Sequence, residues 1–271
     1  MPTEFDALVS SPPSGRPTAL LIDHSAYGSH RLLGGAAVPW EDPTLCAGYF
    51  RTAQALLSPD ATLADVGAIY RRHLGTRADL RAAMATRSRV GYALKALLTD
   101  TKATDAVFAA VAVLAETSRQ PLVLQVPSPV HWLVRAHYDA GHQDPPAISS
   151  DHAESASIYI SDWLRRFSEL PVSLVLLDAR SDETGVPADD LAAYTPLSNA
   201  VSHYRWALAL LDRDRIQVFG SSLAGAVVSP RYWHGHGEVP DADFLYSTIP
   251  ADADPELVLA RANPTTAGAH Q

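Results

Sequence analysis

The chain has 271 residues, 47% of them hydrophobic and 19% charged, enough to bury a substantial core as one large domain. A net charge of -9 argues against a nucleic-acid surface, which needs clustered Lys and Arg to displace the counterions of phosphate. The longest apolar run, 106–115, is about half the roughly 20 residues of a membrane span, and the opening residues carry no basic stretch leading into an apolar one. With one cysteine, Cys46, no internal disulfide can form, so a soluble cytoplasmic protein with no membrane partner is expected.

Residues 1–17 end in the Pro/Ser/Gly stretch "SSPPSGRP" and are expected to be a disordered segment. "TALLID" (18–23) is the first candidate strand, a short apolar run ended by a carboxylate. A glycine-rich loop follows, then a helix over 43–57. "SPDATLADVGAIYRRHLG" reads as a further helix, with Asp60 or Thr62 as its cap and Gly75 at its end. Helices over 77–98 and 103–118 complete a helix-rich part, 43–119, in which no strand is expected. Beyond it the pattern becomes regular. Strands are expected at 121–126 and 172–178, with helices at 128–141 and 152–170 between them, then a helix over 188–212 and a strand at 215–220. Residues 225–229 and 243–249 are weaker strand candidates, the latter before a short helix opened by Pro255, and 263–271 form a polar tail. Alternating strands and helices predict an α/β fold with a mainly parallel sheet covered by helices. Over 18–262 the candidate strands suit an open sheet or a (β/α)8-type barrel, complete or incomplete, with a helix-rich insertion, and the barrel is the expectation.

In such folds ligands gather at the carboxyl ends of the strands, so the residues standing there are the candidates. They are Asp23 and His24, then Gln125 with Ser128, His131 and Trp132, then Asp178 and Arg180, then Ser221 and Ser222. Asp178 and Arg180 follow "VSLVLL", five of whose six residues are apolar, and offer an acid with a fixed cation. Other chemistries are poorly served. The only lysines, Lys95 and Lys102, lie in the helix-rich part, which disfavours Schiff-base chemistry. Cys46 sits in a helical run and reads as core. "WHGHGE" (233–238) is not a recognised zinc spacing and there is no HExxH, so no metal and no cofactor are expected. The paired arginines at 71–72 and 165–166 read as solvated helix faces. "FGSSLAG" (219–225) meets part of a serine-hydrolase elbow at Ser222, but an extended stretch follows it where the elbow requires a helix.

Residues 103–262 resemble the carboxyl half of the barrel shared by uroporphyrinogen decarboxylase and cobalamin-independent methionine synthase. The resemblance rests on "LVLQVPSPVHWL", on "VSLVLLDAR" with its acid at Asp178, and on "FLYSTIPADADPELVLARA". Where the methionine synthases carry a His-x-Cys turn for zinc, this chain has Phe219-Gly220-Ser221. The resemblance therefore implies a barrel with a strand-end carboxylate at Asp178 and without the family's zinc ligands.

Two readings of function follow. One is a metal-independent small-molecule enzyme of decarboxylase, lyase or hydrolase type, in which Asp178 acts as general acid/base, His24 or His131 shuttles a proton and Arg180 holds an anionic group. Asp23, Gln125, Trp132, Ser221 and Ser222 would line its substrate site, and the enzyme would be a homo-oligomer. The other is a methyltransferase-like or catalytically degenerate barrel that serves as a binding protein or hetero-oligomer subunit. A serine hydrolase using Ser222 is a third alternative.

Overall fold

The computed structural model describes residues 3–180, 189 and 191–263. Among these, eight strands form one sheet: β1 (Ala19–Asp23), β2 (Thr62–Asp65), β3 (Leu122–Pro127), β4 (Val172–Asp178), β5 (Ala207–Leu211), β6 (Arg215–Val218), β7 (Ala224–Val228) and β8 (Phe244–Thr248). Their order is β1-β8-β7-β6-β5-β4-β3-β2, which curls into a nearly closed barrel of incomplete (β/α)8 type. Neighbours run parallel except β6, which is antiparallel to both β5 and β7. Eleven α-helices accompany the sheet: α1 (Glu4–Ser10), α2 (Ser25–Arg31), α3 (Pro43–Leu57), α4 (Val66–Thr76), α5 (Ala78–Met84), α6 (Tyr92–Thr99), α7 (Thr101–Thr117), α8 (Pro129–Asp139), α9 (Ser150–Leu164), α10 (Thr195–His203) and α11 (Pro255–Ala262). No described helix is long and apolar enough to cross a membrane.

Successive strand residues face opposite sides of a sheet, and burial divides accordingly. Ala19 and Leu21, Ala61 and Leu63, Val123, Leu174 and Leu176, and Phe244 and Tyr246 pack together as the barrel interior. Their strand neighbours Leu122, Leu124, Val175 and Leu177 pack outward against the helices. Leu20, Ile22 and Leu245 do the same on the other side. Because both faces are buried, the strands read in sequence as continuous apolar runs.

The first residues depart from expectation. Residues 4–10 form α1, opened by a capping box between Thr3 and Asp6. Its Phe5 and Leu8 complete the barrel interior, with the Phe5 ring edge-on to Phe244 at a centroid distance of 5.0 Å. Burial of this apolar pair in the barrel interior gives the segment the packing surface that a short helix needs. Residues 264–271, most of the expected polar tail, lie outside the described residues.

Two strands are absent from the sequence-based expectation. β2 lies within the stretch read as a helix opened by Asp60 or Thr62; the helix starts later, with Asp65 as its cap. β5, "ALALL", lies within the expected helix 188–212, of which α10 is the helical part and residues 188 and 190 are not described. Ala and Leu favour helix intrinsically, and full burial of β5 removes the alternation that marks a strand. The expected helix 77–98 is two helices, α5 and α6, separated at 85–91.

β1 and β2 are the two ends of the strand order, and Asp60 closes the gap between them. Its amide donates to Leu20 O (3.1 Å), while its carboxylate accepts from Leu20 N (2.8 Å), Ser14 N (2.8 Å) and Arg16 Nη1 (3.3 Å). A fully buried carboxylate thus takes the place of a strand ladder at the seam.

Candidate active site

Three strands end in the same frame: "ALLID" (19–23), "ATLAD" (61–65) and "LVLLD" (174–178). In each, the leucine faces the barrel interior, so the aspartate two residues later faces inward at the carboxyl end. The same parity places Gln125 two residues after Val123. Asp23, Asp65, Gln125 and Asp178 therefore form a polar layer above the apolar interior. With Pro127 and Arg180, and with Arg71 of α4 and His131 and Arg135 of α8, they line a cavity of about 280 Å³.

Asp178 is tightly held. Oδ1 accepts from Arg180 N (3.0 Å) and Nε (2.9 Å), and Oδ2 accepts from Arg180 Nη2 (2.7 Å) and Gln125 Nε2 (2.6 Å). Four hydrogen bonds fill the accepting capacity of a carboxylate. Arg180 Nη2 also donates to the Tyr246 hydroxyl (2.9 Å), which donates to Gln125 Oε1 (3.3 Å). The guanidinium lies over the Tyr246 ring, 4.6 Å from its centroid. Burial pushes the Tyr246 hydroxyl up from its ordinary range, so it stays a donor and the network has one direction.

Asp65 is held more loosely. Oδ1 accepts from Ala68 N (2.8 Å) and caps α4, and Oδ2 stands 3.5 Å from Arg71 Nη2. Burial raises its carboxyl to about 6, against the lowering by Arg71 and the Ala68 amide, and Asp23 and Asp178 add repulsion. Gly67 leaves room here: a Cβ on it would stand 3.1 Å from Pro127 Cγ and 3.2 Å from Asp65 Oδ1.

His131 belongs to a second cluster on the same cavity. Its Nδ1 lies 2.9 Å from Asp189 Oδ2 and 2.7 Å from Ser128 Oγ, and Ser128 Oγ itself donates to Asp189 Oδ2 at 2.9 Å. The Tyr194 hydroxyl donates to the other oxygen of Asp189. An ionised carboxylate only accepts, so it selects the tautomer with the proton on Nδ1 and leaves the Nε2 lone pair free.

No family model, curated protein or solved structure matches this chain.

Of the residues singled out from sequence, Asp23, Gln125, His131, Asp178 and Arg180 meet at the cavity. Asp23 there accepts from Ser25 N (3.0 Å) and Ser25 Oγ (2.6 Å). His24 does not line it. Its ring is buried, 2.7 Å from the Tyr49 hydroxyl, and burial outweighs the Asp23 charge to push it down to about 4. Trp132 is packed outside the barrel, edge-on to Tyr70 and Trp163 at 5.6 and 5.8 Å. Ser221 and Ser222 are exposed in the turn between β6 and β7. Because β6 runs against its neighbours, that turn lies at the amino end of the barrel, opposite the cavity. β7 follows where the serine-hydrolase elbow requires a helix. Cys46 is fully buried, its thiol pushed up to about 12 by burial. Among the described residues no three His, Cys, Asp or Glu side chains are grouped as metal ligands; His234 Nε2 instead lies 3.7 Å from Asp252 Oδ1.

Asp65, Arg71, Arg135, Asp189 and Tyr246 were not singled out from sequence. Asp65 was detectable through the x-Leu-x-Asp frame it shares with Asp23 and Asp178. Arg71 was read as part of a solvated helix face, which is half true: its side chain is 45% exposed while its end reaches the cavity.

Proposed function

We propose that this protein is a small-molecule enzyme of lyase or hydrolase type, decarboxylation included, that moves protons with His131 and Asp65 on an anionic substrate. The observation that carries the reading is that a histidine with its tautomer fixed by Asp189 and a carboxyl with a midpoint of about 6 face one cavity. Such a pair offers the imidazole Nε2 as a base and, in Asp65, a carboxyl that is partly protonated around pH 6. The general acid/base role thus moves from Asp178 to Asp65. Asp178 becomes a positioning residue, since its four acceptor sites are already filled by Arg180 and Gln125.

Arg71 and Arg180 account for the anionic class. Four of the five guanidinium N–H groups of Arg180 are engaged by Asp178, Tyr246 and Thr248, which fixes the cation; among the described residues the second Nη1 proton has no acceptor. Arg71 reaches the cavity from α4 on a long, half-exposed side chain. Together they suit a carboxylate or phosphate.

The test is a panel of small carboxylates and phosphate esters screened by thermal shift, followed by turnover of each stabilising compound. A hit should lose its stabilising effect in Arg71→Gln. It should still bind His131→Gln, with turnover reduced about 10²-fold or more, and the rate should fall as pH rises through about 6, where Asp65 loses the proton it donates. Compounds that bind without any turnover would favour the binding-protein reading, and turnover unchanged in His131→Gln would remove His131 from the chemistry.

A further inference from the structure

A second cavity lies on the outer face of the barrel, away from the mouth. β7 and β8 are joined by a 3-10 turn at 230–234 and a loop, without a full crossover helix, so the outer face of β1, β7 and β8 is thinly covered. Between it, that turn and α11 remains a space of about 250 Å³. Leu20, Val228 and Leu245 supply its floor and Trp233 a wall. Trp233 is fully buried and fixed by its Nε1–H, which donates to Ser247 Oγ at 2.7 Å. Apart from this apolar surface, the charged groups that line the cavity are two cations, Arg16 and Arg261, and no described acidic side chain lines it.

Arg16 is the more firmly fixed of the two cations. It is 9% exposed. Nη1 donates to Ser58 O (2.6 Å) and Asp60 Oδ2 (3.3 Å), and Nη2 to Leu57 O (3.1 Å) and Ala262 O. Four of its five N–H groups are therefore satisfied, while Nε has no acceptor among the described residues.

We infer that this cavity is a binding site for a small carboxylic acid with an apolar body, aromatic or short aliphatic. The body lies against Trp233, Leu20 and Leu245, and the carboxylate faces the cationic side of the cavity, where Arg261 stands with Arg16. Arg261 is held in place by its stacking on Tyr232, 4.4 Å from the ring centroid. The site also touches the one already described. Leu245 and Ser247 face it from β8, while Tyr246 between them faces the barrel interior and receives the Arg180 hydrogen bond.

The test is a titration of the ¹⁵N-labelled full chain with 3-phenylpropionate, and with the uncharged 3-phenylpropanol for comparison, read on the tryptophan indole N–H signals. The acid should shift the Trp233 signal saturably while the Trp132 signal stays in place, and the alcohol should bind more weakly. Val239→Glu, which adds a carboxylate on the exposed cavity wall, and Arg261→Gln should each weaken the acid about tenfold. An absent Trp233 shift, equal binding of acid and alcohol, or wild-type affinity in both variants would overturn the proposal. So would shifts confined to His131, which would place the acid at the barrel mouth.

Discussion

Burying Asp65 beside Asp23 and Asp178 costs folding energy that protonation returns. Its carboxyl is raised from 3.8 to about 6, so the penalty is absent below about pH 4, grows as pH rises through 6, and reaches at most ~3 kcal/mol above it. Asparagine caps a helix as well as aspartate does. Asp65→Asn should therefore stabilise the protein by about 1–3 kcal/mol at about pH 8 and by nearly nothing at about pH 4, measured by urea unfolding at both values. A variant less stable at the higher pH would mean that the Arg71 ion pair outweighs burial. If the variant also loses turnover, the residue trades stability for function. Asp178 and Asp65 also mark the limit of what the sequence shows at this scale. Asp178 ends a strand of seven residues, long enough to be recognised. Asp65 ends one of four and at the same time caps α4, so its sequence context is that of a helix start.

At the scale of elements, strand direction was the hidden quantity. β5 and β6 are joined by residues 212–214 alone, and so short a link permits only antiparallel pairing. With β5 concealed in an apparent helix of Ala and Leu, that constraint could not be applied, and Ser221 and Ser222 were placed at the wrong end of the barrel. β3, β4 and β8 were legible because flanking turns bounded them, and with them Gln125 and Asp178. The ordering of α1 was illegible for a different reason: a seven-residue helix owes its stability to the surface it covers, which sequence does not display. Phe5→Ala should remove about 3–5 kcal/mol of stability, the range for truncating a buried phenylalanine, seen as a lower urea midpoint. Ligand binding at the opposite, carboxyl end should persist in the folded fraction. Loss of binding with full stability would instead tie α1 to the site.

For the whole molecule, the seam between β1 and β2 decides whether the sheet is an open ribbon or a barrel. Asp60 and Arg16 are both buried there and paired with each other. Asp60→Ala leaves the Arg16 charge uncompensated, and breaking a buried pair in this way costs about 3–5 kcal/mol. Thermal unfolding should show that loss, together with faster amide exchange in β1 and β2. Exchange unchanged in both strands would show that the seam is held by other contacts. The seam also has a consequence for solubility. An open eight-stranded sheet would present two free edges, each a template on which another chain could add a strand. By engaging both backbone groups of Leu20, its N–H and its C=O, Asp60 withdraws that edge from intermolecular pairing, so the same carboxylate that shapes the fold guards the protein against self-association.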